Sequence, residues 1–118
     1  LIMKKKIFCF DLDNVICKTS ANYYSHSKPI KSSIKTINKI HENGNKIIIF
    51  TARGMSTFNG NILKAKKKYF KMTEQQLKRW GVKYSKLILG KPAYDMIIDD
   101  KGFGYSLSWR KKLLKDIE

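Results

Sequence analysis

Hydrophobic positions along the chain follow two rhythms in turn. Short unbroken apolar runs stand at residues 6–10 (KIFCF), 46–50 (KIIIF), 86–89 (KLIL) and 95–98 (DMII). Because they are continuous rather than alternating, they predict strands covered on both faces, the habit of a parallel sheet. Between them, apolar residues recur at helical spacing. Ile30, Ile34, Ile37 and Ile40 share one helix face; Ser27 and Pro29 suit its start and Gly44 its left-handed end. A second helical stretch begins near Asn61 with Ile62, Leu63, Tyr69 and Phe70. The capping-box spacing of Thr73 and Gln76 predicts a fresh helix there, closed by Gly81. Leu107, Leu113, Leu114 and Ile117 predict a last helix. Strand followed by helix, repeated, predicts an α/β fold with a parallel sheet flanked by helices.

The length of 118 residues suits a single domain spanning 1–118. No apolar run approaches the roughly 18 residues of a membrane span, so no membrane partner is expected. The apolar run after the first lysines is too short for a signal-peptide core, and no small-residue cleavage site follows it. Two cysteines, Cys9 and Cys17, make no disulfide framework. They are expected as structural thiols, Cys9 within a core strand, in a reducing cytoplasm.

Charge changes the picture more. Lysine and arginine number 25 against 9 acids, a net charge of +16. That excess would suit a polyanion. Lysine far outnumbers arginine, however, and comes with many Ile and Asn, the bias of AT-rich coding. Nucleic-acid grooves recruit more arginine and stacking aromatics, so nucleic acid is the disfavoured partner. A positive field would still draw phosphorylated small molecules.

Against this background the few acids stand out. Asp11 and Asp13 follow the first apolar run, and Asp99 and Asp100 follow the last. The carboxyl ends of parallel strands share one edge, and ligands bind there. Four carboxylates on one edge repel unless a cation sits among them, and an all-oxygen set suits Mg²⁺. Alone, either pair ordinarily makes a turn or a helix cap; together at strand ends they argue for a site. Thr51, Ala52, Arg53 and Gly54 follow the second run, where a hydroxyl and turn amides make an anion cradle. Lys91 follows the third run, with Pro92 stiffening its loop.

The order of these parts, DLDNV, FTARG, GKP and IIDDKG, resembles the haloacid dehalogenase (HAD) superfamily over residues 6–102. FTARGM and GKP…DMIIDDK look most like its small capsule polysaccharide biosynthesis phosphatases. The resemblance implies a three-layer Rossmann-like core, a parallel sheet of about 4–5 strands, and no cap domain. It implies a Mg²⁺-dependent phosphatase working through an aspartyl-phosphate. Asp11 would be the nucleophile and Asp13 the general acid and base. Thr51 and the Ala52 amide would hold the phosphoryl oxygens. Lys91 would neutralise developing charge and restrain Asp11. Asp11, Asp99 and the Asp13 carbonyl would bind the metal, with Asp100 a further ligand. The second aspartate points to phosphate esters rather than carbon–halogen bonds.

The segment NVICKTSANYYSHSKP has room for a short hairpin flap, so the expected site is open. An open site takes a large substrate or is closed by a second copy of the chain, which makes a homo-oligomer an expected partner. Tyr23, Tyr24 and His26 in the flap are candidates for the leaving group, although loop tyrosines commonly pack locally. Arg53 and the loop GMSTFNGN are the other candidate specificity elements. Three functions compete on these residues: a phosphatase of a small phosphorylated metabolite, such as a sugar or amino-alcohol phosphate; a phosphatase of nucleic-acid 3′-ends; and a non-catalytic basic domain. The first is the leading expectation, because every catalytic position is filled.

Overall fold

Three of the four apolar runs form strands, and the reason lies in their neighbours. A computed structural model describes residues 5–117; the outermost residues of the expected domain, 1–4 and 118, lie outside the described residues. Strand β1 (Ile7–Phe10) pairs parallel with β4 (Lys46–Thr51), and β4 pairs parallel with β5 (Lys86–Leu89), giving the order β1-β4-β5. A separate antiparallel pair, β2 (Cys17–Lys18) with β3 (Lys28–Pro29), forms the expected flap, with a single 3-10 turn at Tyr24–His26 near its tip.

Helix α1 (Lys31–Glu42) buries Ile34, Ile37 and Ile40, the stripe its spacing predicts. Ile30 stands at its N-cap, and Ser27–Pro29 belong to the flap instead of the helix start. Helix α2 (Ile62–Arg79) is continuous through the expected break. Nothing between Met72 and Gln76 interrupts helical propensity. Thr73 and Gln76, one turn apart, are buried on one face and hydrogen-bond elsewhere, so they cap nothing. Asn61 caps the true start by accepting from the Lys64 amide at 3.0 Å. Helix α3 (Trp109–Ile117) closes the core through Trp109, whose ring lies 6.0 Å from that of Phe10. Leu107, expected on that helix, is 90% exposed outside it.

The core gathers Ile34, Ile37 and Ile40 with Ile47, Ile49, Leu87, Leu89, Leu77 and Leu113. Strand β4 alternates rather than being covered on both faces: Ile47 and Ile49 are buried, while Ile48 and Phe50 are half-buried. Strand β1 is an edge, so Ile7 and Cys9 are exposed, and Cys9 is not the core residue expected. Among the described residues the sheet has three strands instead of the expected four or five. Residues 95–98 form no strand, and Met96, Ile97 and Ile98 are 77%, 60% and 89% exposed. An apolar run becomes a strand only where a partner offers it a ladder, and no ladder bonds reach this one.

Candidate active site

The turn after β1 places the two aspartates. Leu12, between them, is fully buried. Its carbonyl accepts from the amides of Val15, Ile16 and Cys17 at 3.2, 2.8 and 3.3 Å. Asn14 sits at φ 68, a left-handed conformation that asparagine tolerates. Leucine pinned inward and a tight turn behind it leave Asp11 and Asp13 on either side, both half-buried at the carboxyl end of β1.

Register brings the other parts to the same edge. Phe10 pairs with Ile49, and Thr51 pairs with Leu89, so the segments following β1, β4 and β5 emerge side by side. The Lys91 amide donates to the Thr51 carbonyl at 3.2 Å, and Lys91 Nζ stands 3.6 Å from Asp11 Oδ1. Thr51 is buried, and its hydroxyl oxygen accepts from the Arg53 amide at 3.2 Å, leaving its proton to donate. Ala52 is half-buried beside it.

Electrostatics follow from burial. Desolvation pushes the Asp11 carboxyl above the ordinary carboxylate range; Lys91 and the Leu12 amide oppose the shift, and the Asp13 charge adds to it. Burial works against the Lys91 ammonium, but Tyr94 and Asp11 outweigh it and hold its pKa above that of free lysine. The Tyr94 ring lies 5.3 Å from Lys91 Nζ. Asp11 and Lys91 thus form one loosely held pair, while Asp13 is held by other groups.

Those groups are a finding that the sequence did not announce. Arg53 is 1% exposed, so it is no specificity residue reaching into solvent. Its Nε donates to Asp13 Oδ2 at 3.1 Å and its Nη2 to Asp13 Oδ1 at 2.9 Å, a bidentate grip. Thr19 Oγ1 donates to Asp13 Oδ1 at 2.5 Å. Gly54 makes the arrangement possible. At φ +83 its chain runs so close to α2 that a Cβ there would lie 2.9 Å from Ala65 Cβ.

The flap candidates separate. Tyr24 is buried, with its ring under the Arg53 guanidinium at 4.9 Å and edge-on to Tyr69 at 5.0 Å, so this flap residue packs locally. Tyr23 and His26 stay exposed and stack with ring centroids 6.3 Å apart. The loop GMSTFNGN contributes Met55, Ser56, Asn59 and Gly60 to an open cleft of about 650 Å³, completed by Ile62, Gly90 and Pro92 next to Lys91. A larger hollow, lined by Lys5, Phe8, Lys39 and Asn45, lies at the other end of the strands, away from the aspartates.

Asp99 and Asp100 do not join Asp11 and Asp13. Both are exposed, and Asp99 Oδ1 accepts from the Lys101 amide at 2.8 Å in a local turn. Among the described residues, no group of three or more His, Cys, Asp or Glu side chains is placed to hold a metal ion. The expected four-carboxylate Mg²⁺ set is therefore not assembled in this arrangement. Its second half rides on the segment that forms no strand.

No protein-family model matches the chain, and no curated protein matches it. A solved structure does: a structural-genomics target from Vibrio cholerae, 25% identical, superposes with a TM-score of 0.78 over 98% of this chain and 100% of that one. Among the described residues, no helix is long and apolar enough to cross a membrane. The chain is an α/β protein whose three-stranded parallel sheet is flanked by helices, consistent with a Rossmann-like fold.

Proposed function

We propose that the chain is a phosphatase of small phosphate monoesters, of the haloacid dehalogenase type, with Asp11 as nucleophile and Asp13 as general acid and base. The observation that carries this reading is the meeting of Asp11, Asp13, Thr51 and Lys91 at the carboxyl ends of adjacent parallel strands. An aspartate nucleophile needs a cation that neutralises charge on the phosphoryl group without capturing the carboxylate. Lys91 at 3.6 Å from Asp11 suits that role. The proton donor must be a second carboxyl on the same side, held apart from that lysine, and Asp13 is so held by Arg53. Thr51 and the Ala52 amide are the donors for the phosphoryl oxygens.

Mg²⁺ belongs to this reading as the cation that carboxylate oxygens favour. Asp11 and the Asp13 carbonyl would hold it from the turn. Asp99 and Asp100 would complete its shell if residues 95–98 paired with the free edge of β1 as a fourth strand, the core expected from the resemblance. Three features support that pairing. Met96, Ile97 and Ile98 are exposed apolar residues, β1 is an open edge, and the Asp99 charge already acts on Cys9 in β1.

The flap stands where larger superfamily members carry a cap, so the site is open, and the cleft beside Lys91 takes the leaving group. A sugar or amino-alcohol phosphate of surface-polysaccharide synthesis is the substrate class that the FTARGM and GKP…DMIIDDK segments suggest. A second reading, a phosphatase of nucleic-acid 3′-ends, is favoured by one feature: Lys64, Lys66, Lys67, Lys68 and Lys71 are all exposed on α2. Phosphate release from sugar, amino-alcohol and aryl phosphates and from a 3′-phosphorylated oligonucleotide tests both, with Mg²⁺ or EDTA and at two salt concentrations. Salt-tolerant turnover of a small ester, lost in Asp11→Asn, is expected. Turnover of the oligonucleotide that collapses with salt would favour the second reading. No release from any ester would sink both.

A further inference from the structure

Arg53 heads the fully buried side chains by size, and every part of its guanidinium is directed. One edge of the fork, Nε and Nη2, grips Asp13. Nη1 reaches helix α2, donating to Thr73 Oγ1 at 3.0 Å and to Gln76 Oε1 at 2.6 Å. The Tyr24 ring covers one face at 4.9 Å. Gln76 donates in turn to the Tyr24 carbonyl at 2.6 Å. Helix, flap and carboxylate therefore converge on one buried cation.

The Arg53 side chain is 0% exposed, while that of Asp13 keeps 21% exposure on the edge that carries Asp11. Asp13 Oδ1 is crowded by Thr19 and Nη2, at 2.5 and 2.9 Å. Oδ2 accepts from Nε at 3.1 Å and keeps its other lone pair. Nε also lies 3.3 Å from Oδ1, so Oδ1 carries most of the contacts and Oδ2 a single one.

We infer that Arg53 is a positioning residue: it fixes the Asp13 carboxylate with one oxygen available to a leaving group, and it ties that orientation to the seating of the flap. The clamp rests on geometry alone; its catalytic consequence rests on the phosphatase reading. A lysine at this position would keep the charge and lose the planar fork, which makes the clamp separable from charge.

The experiment uses wild type, Arg53→Lys, Asp13→Asn and the double variant, each read in two ways. Melting temperatures are measured first, without substrate. A loss in the double variant smaller than the sum of the single losses is expected; additive losses would overturn the clamp. Turnover is then compared on p-nitrophenyl phosphate, whose leaving group needs no proton, and on a primary alkyl phosphate, whose leaving group does. Arg53→Lys is expected to lower kcat/KM, which reports the leaving-group step and not the later hydrolysis that both esters share, about 10²-fold on the alkyl ester and less than about 10-fold on the aryl ester. It should add no further loss in the Asp13→Asn background. Equal losses on both esters would mean a merely structural arginine and would overturn the inference. If Arg53→Lys does not fold, Gln76→Leu, which removes one of the two oxygen acceptors of Nη1, replaces it, with the same leaving-group signature expected at about 10-fold. A folded wild type that releases no phosphate from either ester would remove the phosphatase reading and the positioning role with it. The melting data would then decide only whether the clamp exists.

Discussion

Lys91 Nζ lies 3.6 Å from Asp11 Oδ1, close enough to attract and too far for a tight hydrogen bond. Asp13, two residues on, is gripped at 2.9 Å by Arg53. Two carboxylates in one turn are thus given opposite treatment. Asp11 is left loosely restrained and partly exposed, and Asp13 is locked. On the proposed phosphatase reading, a nucleophile must move toward phosphorus whereas a proton donor must stay aimed, and the two cations match that division.

Asp11→Asn is expected to abolish phosphate release and to raise the melting temperature of the metal-free protein at pH 7. The sign follows from linkage. Burial raises the Asp11 carboxyl above its ordinary value, so between that value and the raised one the folded protein binds more protons than the unfolded chain. Stability from this group is present at low pH and lost as pH rises through the folded pKa. The Lys91 attraction that asparagine forgoes opposes this gain, but burial outweighs it. The gain should vanish below about pH 3.9, where the aspartate is protonated in both states. Melting curves from pH 3 to 8 check it; an unchanged or lower melting temperature at pH 7 would contradict the assignment of burial as the dominant effect.

Lys91→Met retains most of the packed length and removes the charge. Turnover is expected to fall about 10²–10³-fold, the usual cost of losing one charge stabiliser in a closed set of donors. Lys91 also holds the Asp11 pKa down against burial, so the acidic limb of the rate profile should move to higher pH in the variant. A pH–rate profile with an unmoved limb would mean the two side chains are not coupled.

Asp13→Asn leaves a buried guanidinium without its charged partner. Thr73 and Gln76 still accept from Nη1, so the loss should be about 2 kcal/mol rather than the full penalty of an orphaned charge. Urea unfolding measures it. A neutral result would mean the grip contributes nothing to the folded state.

Gly54→Ala is expected to destabilise by about 2 kcal/mol, from a left-handed backbone and a Cβ forced against α2. The displaced contacts are Tyr69 and Ala65 on the same helix that carries Thr73 and Gln76, so activity should fall with stability. A variant as stable as wild type, by the same urea titration, would refute the close-approach account.

Residues 95–98 offer a test that needs no substrate. If they pair with β1 when the carboxylates are bridged, Mg²⁺ should slow amide hydrogen exchange at Met96, Ile97 and Ile98, and EDTA should restore it. Exchange unaffected by Mg²⁺ would leave Asp99 and Asp100 outside any metal site.

Much of the scaffold was legible in the residues alone. Three apolar runs became β1, β4 and β5, because each found a parallel ladder partner in a neighbouring run. The Ile30–Ile40 stripe became the buried face of α1 by the geometry of the helix, needing no partner to define it. A strand followed by Asp-Leu-Asp sufficed to place two carboxylates on the sheet edge, since Leu12 must turn inward. What tertiary structure alone decided was partnership. DMII has a strand's composition, but strands are made by hydrogen bonds to another chain segment, and in this arrangement it has none. Thr73 and Gln76 carry a capping-box spacing, yet an arginine twenty residues away in sequence claims both side chains. Arg53 itself reads in sequence as a candidate specificity residue in the turn after β4. Only the fold, by closing α2 and the flap around it, turned that cation inward and gave it Asp13 to hold, because desolvating a charge forces it to find every acceptor within reach.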